Sequence, residues 1–177
     1  MCLITRFRQQ PHIVLAPLII LSLTLALWGG LIRIGWHLPP NSPHLVLLHA
    51  PLMIAGFFAT VIGLERAVAL RRTWMFAAPL ATTLSSLSFL VLGINRGGMA
   101  LLIVGALVLC TIFGVLMLQH PAIYTATMGL AALCWLGGNV LWLLGRSIPE
   151  IALWWTTFLV LTIAGERLEL GRLLRLP

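Results

Sequence analysis

The chain has 177 residues, of which 60% are hydrophobic and 8% charged. A soluble domain carries roughly 25% charged residues, so this composition excludes an ordinary water-soluble globular protein and points to lipid as the solvent. The formal net charge is +7, from eleven arginines and no lysine, but the arginines lie between apolar runs and form no single basic face, which excludes a nucleic-acid interface.

Six runs are apolar and long enough to cross a bilayer, at about 13–32, 45–64, 75–94, 99–118, 123–144 and 151–168. The separators are polar or helix-breaking: Arg33 to His44, Glu65 to Trp74, Asn95 to Gly98, Gln119 to Ala122, and Gly145 to Glu150. Every gap is short, so consecutive helices are expected to be antiparallel neighbours. The predicted fold is all-α: a polytopic membrane protein, one bundle of six transmembrane helices over 1–177. No linker, soluble domain or low-complexity tail interrupts it. The first run has no small-residue cleavage site after it and is read as a retained span.

Arginine counts set an expected orientation. Six spans put both termini on one side, with Arg6, Arg8, Arg66, Arg71, Arg72, Arg167, Arg172 and Arg175; the other side holds Arg33, Arg96 and Arg146. Eight against three places both termini in the cytoplasm. Trp28, Trp36, Trp142, Trp154 and Trp155 then cluster near the outer interface, where indole rings prefer to sit, and Trp74 lies near the inner one. Cys2, Cys110 and Cys134 form no CxxC pair, and the latter two read as buried small residues.

The second run carries a histidine at membrane depth. An ionisable group there is costly and is a functional-site candidate by default. His49, Met53, Gly56, Thr60 and Gly63 follow i, i+4, i+7, i+11 and i+14, one stripe of an α-helix. The small residues let a helix or a flat cofactor approach closely. His49 lies about 6 Å inside the outer end. Its imidazole with the Met53 thioether suits haem iron or Cu(I) better than Mg or Ca. The plainer alternative is a histidine hydrogen-bonded to a neighbouring helix, with Met53 as packing. Pro51, two residues on, removes a backbone donor and loosens the helix.

A second ligand would have to come from His44 or His37 on the same side. His44 is about 140° from His49 on a continuous helix, so only a folded-back loop, held by Pro39, Pro40 and Pro43, would bring it over the site. His12 and His120 fall on the other side.

Two charged pairs end the second and sixth runs. Glu65-Arg66 and Glu166-Arg167 are either a charged pocket for an anion or proton, or ion pairs that pin helix ends. Each follows a phenylalanine at the same offset, Phe57-x7 and Phe158-x7, and Arg71 and Arg172 recur likewise, a weak parallel repeat. Glu166 shares a face with Glu169, Thr162, Phe158 and Trp155, a face expected to turn inward. In the fifth run Trp135, Asn139, Trp142 and Arg146 share a face, and Asn139 is either a donor to a cofactor or interhelical glue. Hydroxyls from Thr82 to Ser88 soften the third run and are expected to bond back to the backbone. No phosphate loop, nucleophile elbow or paired-carboxylate site is present, and no catalytic residue is assigned.

The segment His49-Ala50-Pro51-Leu52-Met53-Ile54-Ala55-Gly56-Phe57 resembles the H-A-H-E-M-x-x-G-F helix motif of the NnrS family of bacterial multi-spanning membrane proteins. The matches are His49, Ala50, Met53, Gly56 and Phe57; Pro51 and Leu52 stand where the family has a second histidine and a glutamate. The longer phrases HAPLMIAGFFATVIGLERAVAL and IAGERLELGRLL resemble one NnrS-like branch whose members are about twice this length. The likeness covers the whole chain but only the first half of that architecture. It implies a bacterial inner-membrane protein that binds haem or copper and is linked to nitric-oxide or respiratory metabolism. A site of His49, Met53 and Gly56, with His44 or His37, is the expectation. A homo-oligomer or a separately encoded second six-span half would supply further ligands. The alternatives are a cofactor-free carrier or channel gated by the Glu-Arg pairs, and a structural subunit of a larger membrane complex.

Overall fold

The computed structural model describes residues 11–39 and 43–173, with side chains from 14 to 39 and from 43 to 172. Arg6, Arg8, Arg175, Cys2 and Pro40 lie outside the described residues, as does the His12 side chain.

All regular structure among the described residues is helical. The first span is α1 (Pro11–Arg33). The second is composite: α2 (Pro43–Pro51), a π-helical stretch Leu52–Ala59, then α3 (Thr60–Leu70). A short 3-10 turn, Thr73–Phe76, leads into α4 (Ala77–Leu92). There follow α5 (Arg96–Gln119), α6 (Ile123–Leu143) and α7 (Ile148–Leu173). Six helices are thus long and apolar enough to cross a membrane, and the expected all-α, multi-pass architecture is what the chain adopts.

The helices outrun the apolar runs that announce them. The second span continues to Leu70 and the sixth to Leu173, so both Glu-Arg pairs sit inside helices rather than in loops. Helical hydrogen bonding does not stop where apolarity stops; a terminator is needed. The second span ends at Arg71, whose φ of 52° is left-handed and reverses the chain.

Two helix starts carry caps. Asn95 Oδ1 accepts from Gly98 N at 2.8 Å, and its Nδ2 donates to Gly93 O at 2.8 Å and to Ser88 Oγ at 2.9 Å. This closes the turn before α5. At α7 the Glu150 carboxylate caps the helix start, with Oε2 accepting from both Ser147 N and Ser147 Oγ at 2.7 Å.

The chain divides into two compact units, Met1–Gly105 and Ala106–Pro177, with the boundary inside α5. In the first unit, Leu15, Ile19, Ala26, Leu48, Leu52 and Phe89 are buried together with the hydroxyls of Ser22, Thr60, Thr82, Thr83, Ser85 and Ser86. As expected, most of these hydroxyls bond to backbone: Thr83 to Pro79 O, Ser86 to Thr82 O and Ser85 to Gly98 O.

The second unit packs α6 on α7 through aromatic rings. Trp135 stacks on Phe158 at 5.1 Å between centroids and lies 5.7 Å from Trp155, which meets Trp142 edge-on at 5.4 Å. Trp142 and Trp155 are therefore buried packing residues, whereas Trp36, Trp74 and Trp154 are exposed. Gly137 and Gly138 let the Trp154 and Trp155 rings lie directly on the α6 backbone. Many of the most exposed side chains are apolar, Val91, Leu118, Leu144 and Leu153 among them. In water that pattern would cost solubility; against lipid it is the matching surface.

Candidate functional site

His49 sits near the end of α2, two residues before Pro51, and its ring is held by the first span. Nδ1 lies 2.8 Å from the backbone carbonyl of Ala26 in α1. A carbonyl can only accept, so Nδ1 carries the proton. In the neutral ring the lone pair then belongs to Nε2, which has no hydrogen bond among the described residues.

Two glycines make this contact possible. A Cβ on Gly29 would run into the Leu45 carbonyl, and one on Gly30 would lie 2.8 Å from His49 Cε1 and Nδ1. Gly30 is one turn beyond Ala26, so a side chain there would also cover the Ala26 carbonyl. The missing side chains thus let α1 and α2 close up and open one helical carbonyl to the imidazole. His49 borders an open cleft of about 450 Å³, lined also by Leu27, Gly30, Leu31, Arg33 and Ile34. The walls are apolar apart from His49 and Arg33.

Pro51 explains the π-helical stretch that follows. It has no N–H to give, and its ring crowds the carbonyl four residues back. The next two turns run wide, with i→i+5 bonding over Leu52–Ala59. Thr60 Oγ1 donates to Ala55 O, five residues back, at 2.9 Å. A wide turn takes more residues, so the expected stripe does not keep one face. His49 turns to α1. Gly56 is wedged between α1 and α4, where a Cβ would meet Ser22 and Ser86 at 2.9 and 2.8 Å. Thr60 turns to α4, 2.8 Å from Thr82 Oγ1, and Gly63 lies against Ala78 and Pro79. The stripe is helix-packing surface shared between two neighbours.

The remaining expected residues are scattered. Met53 is half-buried in the π-helical stretch. His44 is exposed in the first turn of α2, with Cε1 3.4 Å from where a Gly93 Cβ would be, at the end of α4; His37 is exposed in the loop after α1. Because α2 is continuous from Pro43, His44 and His49 face different helices, and the loop does not fold His44 back over the site. Among the described residues no three His, Cys, Asp or Glu side chains gather into a metal-holding group.

Against haem or copper, the described residues offer His49 as the candidate ligand in the cleft. His49 is a ring-oriented imidazole with its second nitrogen fixed by a carbonyl, the usual support for a ligating histidine. The space over Gly30 is taken up by the His49 ring itself. The second donor is not brought beside it.

The charged ends differ from one another. Arg66 Nη2 lies 3.7 Å from Glu65 Oε1, with Arg66 mostly buried and Glu65 exposed. At the other end Glu166 is half-buried and Arg167 exposed. The repeat in sequence therefore does not repeat in environment. Trp155, Phe158 and Thr162 on the Glu166 face are buried, as expected. Arg172 Nη1 reaches Tyr124 Oη at 3.3 Å and ties the end of α7 to the start of α6. Asn139 is fully buried, and neither its Oδ1 nor its Nδ2 has a partner among the described residues.

Sequence reading missed Ala26, Gly29, Gly30 and Arg33 as site residues. The Gly29-Gly30 pair was the available signal, since adjacent glycines in a membrane helix mark close approach.

Six long apolar helices define an all-helical, multi-pass membrane protein. The chain belongs to the family described as domain of unknown function (DUF8744), whose model matches residues 12–177. No curated protein and no solved structure matches it.

Proposed function

We propose that this is a bacterial inner-membrane protein, related in function to the NnrS family, that holds haem or copper at His49 near the outer leaflet. Its role lies in nitric-oxide or respiratory metabolism. Both termini face the cytoplasm. The carrying observation is the 2.8 Å contact between His49 Nδ1 and the Ala26 carbonyl. It fixes the tautomer and presents Nε2 as a ready ligand beside an apolar cleft. Gly30 leaves the room that the ring needs to reach this carbonyl. The retained His-Ala, Met, Gly and Phe positions of the helix motif support the same reading.

His49 Nε2 would hold the group through one bond. The other ligand comes from a second copy of the chain or from a separately encoded partner. When bound, the group contributes redox or diatomic-gas chemistry; the chain's part is to orient the imidazole and keep one side of the cleft apolar.

The test is spectroscopic. Full-length protein purified after haem and copper supplementation is expected to show a Soret band or stoichiometric copper, and His49→Ala to lose it. Absence of both signals in the wild type, or full cofactor content in His49→Ala, would overturn the reading.

A further inference from the structure

Three buried polar atoms of the second unit have no hydrogen-bond partner among the described residues: Asn139 Oδ1, Asn139 Nδ2 and Trp155 Nε1. Asn139 is 0% exposed and Trp155 2%. They share one neighbourhood. Trp135, Gly138, Asn139 and Trp142 follow i, i+3, i+4 and i+7, one face of α6. The Trp155 ring lies against that face from α7, 5.7 Å from the Trp135 ring and 5.4 Å from the Trp142 ring. Its Nε1 comes to 2.9 Å from where a Gly138 Cβ would be, and Asn139 is the next residue. A donor or acceptor left unmet in such a place carries its full desolvation cost, so three together call for an occupant.

We propose that Asn139 and Trp155 form a buried water site, so that α6 and α7 are joined through water and not by a direct side-chain bond. The pattern of unmet groups selects the occupant. Oδ1 needs a donor, whereas Nδ2 and Nε1 need acceptors. An anion answers only the two N–H groups and brings a bare charge among indole rings; a cation answers only Oδ1. An amide N–H laid on an indole face is a weak bond and still leaves Oδ1 unmet. Water both donates and accepts, and a buried water holds two to four such bonds. One water donating to Oδ1 and accepting from Nε1, with a second accepting from Nδ2, meets all three atoms. Entry needs no passage through the bilayer's centre, because Asn139 lies about 6 Å from the end of α6 at Leu143. The site is independent of the reading of His49.

The experiment uses the full chain in phosphatidylcholine nanodiscs, with nitrogen-15 in its asparagine and tryptophan side chains. Rotating-frame NMR transfer from water to the side-chain N–H groups is recorded, since its sign separates a bound water from hydrogen exchange. Cross-peaks of the bound-water sign are expected at the Asn139 amide and at the Trp155 indole, with the exposed Trp36 indole as the reference for bulk contact. Asn139→Leu is expected to lose the Trp155 cross-peak and to melt at a lower temperature, because displacing the water leaves Nε1 unmet. Absence of the cross-peak at either group in the unaltered chain overturns the proposal. So does a Trp155 cross-peak of full strength in Asn139→Leu, which would mean that the amide holds no water there. A raised melting temperature in that variant overturns it too, as the outcome for an amide with no partner at all. The first arm needs no substitution, so a folding defect in Asn139→Leu does not spare the proposal.

Discussion

A backbone carbonyl inside a helix is normally covered and fully engaged. The Ala26 carbonyl keeps a second lone pair, and the missing side chain at Gly30 exposes it to His49. Gly30→Ala tests that arrangement directly. The new Cβ falls 2.8 Å from two ring atoms, so the imidazole must leave Ala26 or the helices must part. The expected cost is about 1–3 kcal/mol, as for other overpacked sites, read as a lower melting temperature. The distinctive histidine Nδ1–H resonance of a hydrogen-bonded ring is expected to disappear. His49 itself was legible from sequence, because a polar residue interrupts an apolar run. Its partner was not, because hydrogen bonds to backbone leave no trace in residue identity. The burial of Trp142 and Trp155 was not legible for a related reason: an indole suits a bilayer interface and a packed interior equally, and residue type does not say which rings will meet.

Elements were legible to the extent that lipid dictates them. Apolar length identified the six spans, since backbone groups must be satisfied within the segment wherever water is excluded. The helix ends and the π-helical stretch were not legible, because both depend on local hydrogen bonding that apolarity does not report. Pro51 was seen as a weak point, but a missing donor does not by itself say whether the helix kinks, stops or widens. The widened stretch turns Thr60 toward Thr82 and so creates a hydroxyl pair between the second and third spans. A double-mutant cycle with Thr60→Val and Thr82→Val measures it. Hydrogen bonds between membrane helices couple by about 0.6 kcal/mol on average, and a coupling of that order is expected in wild type. In Pro51→Ala, where a regular α-helix turns Thr60 away, the coupling is expected to vanish.

For the molecule as a whole, the arginine asymmetry predicts how it is threaded through the membrane. Alkaline phosphatase fused in the loop between α1 and α2, or after Gly145, is expected to be active outside the cytoplasm. The same reporter fused after Arg72 or at the C-terminus is expected to be silent, and a green fluorescent reporter there to fluoresce. The reverse pattern would move His49 to the cytoplasmic side. Two compact units with their boundary inside a single helix also mean that α5 contributes to both, an arrangement that short gaps between spans could not reveal. What they announced was six neighbours in sequence, and the grouping comes from which faces carry glycine, hydroxyl or indole.

The wide turns of Leu52–Ala59 have a consequence for chain length. A π-helical stretch holds a surplus residue between flanking α-helices that are already in phase with their neighbours. Removing one residue there is expected to restore regular α-helix while His49 keeps facing α1 and Thr60 keeps facing α4. The same deletion between Thr60 and Glu65 rotates everything beyond it by about 100°, carrying the buried Arg66 toward lipid. A single-residue deletion scan, scored by membrane expression, should find one window of tolerance inside an otherwise intolerant span. Relatives that differ by one residue in this span should differ within that window.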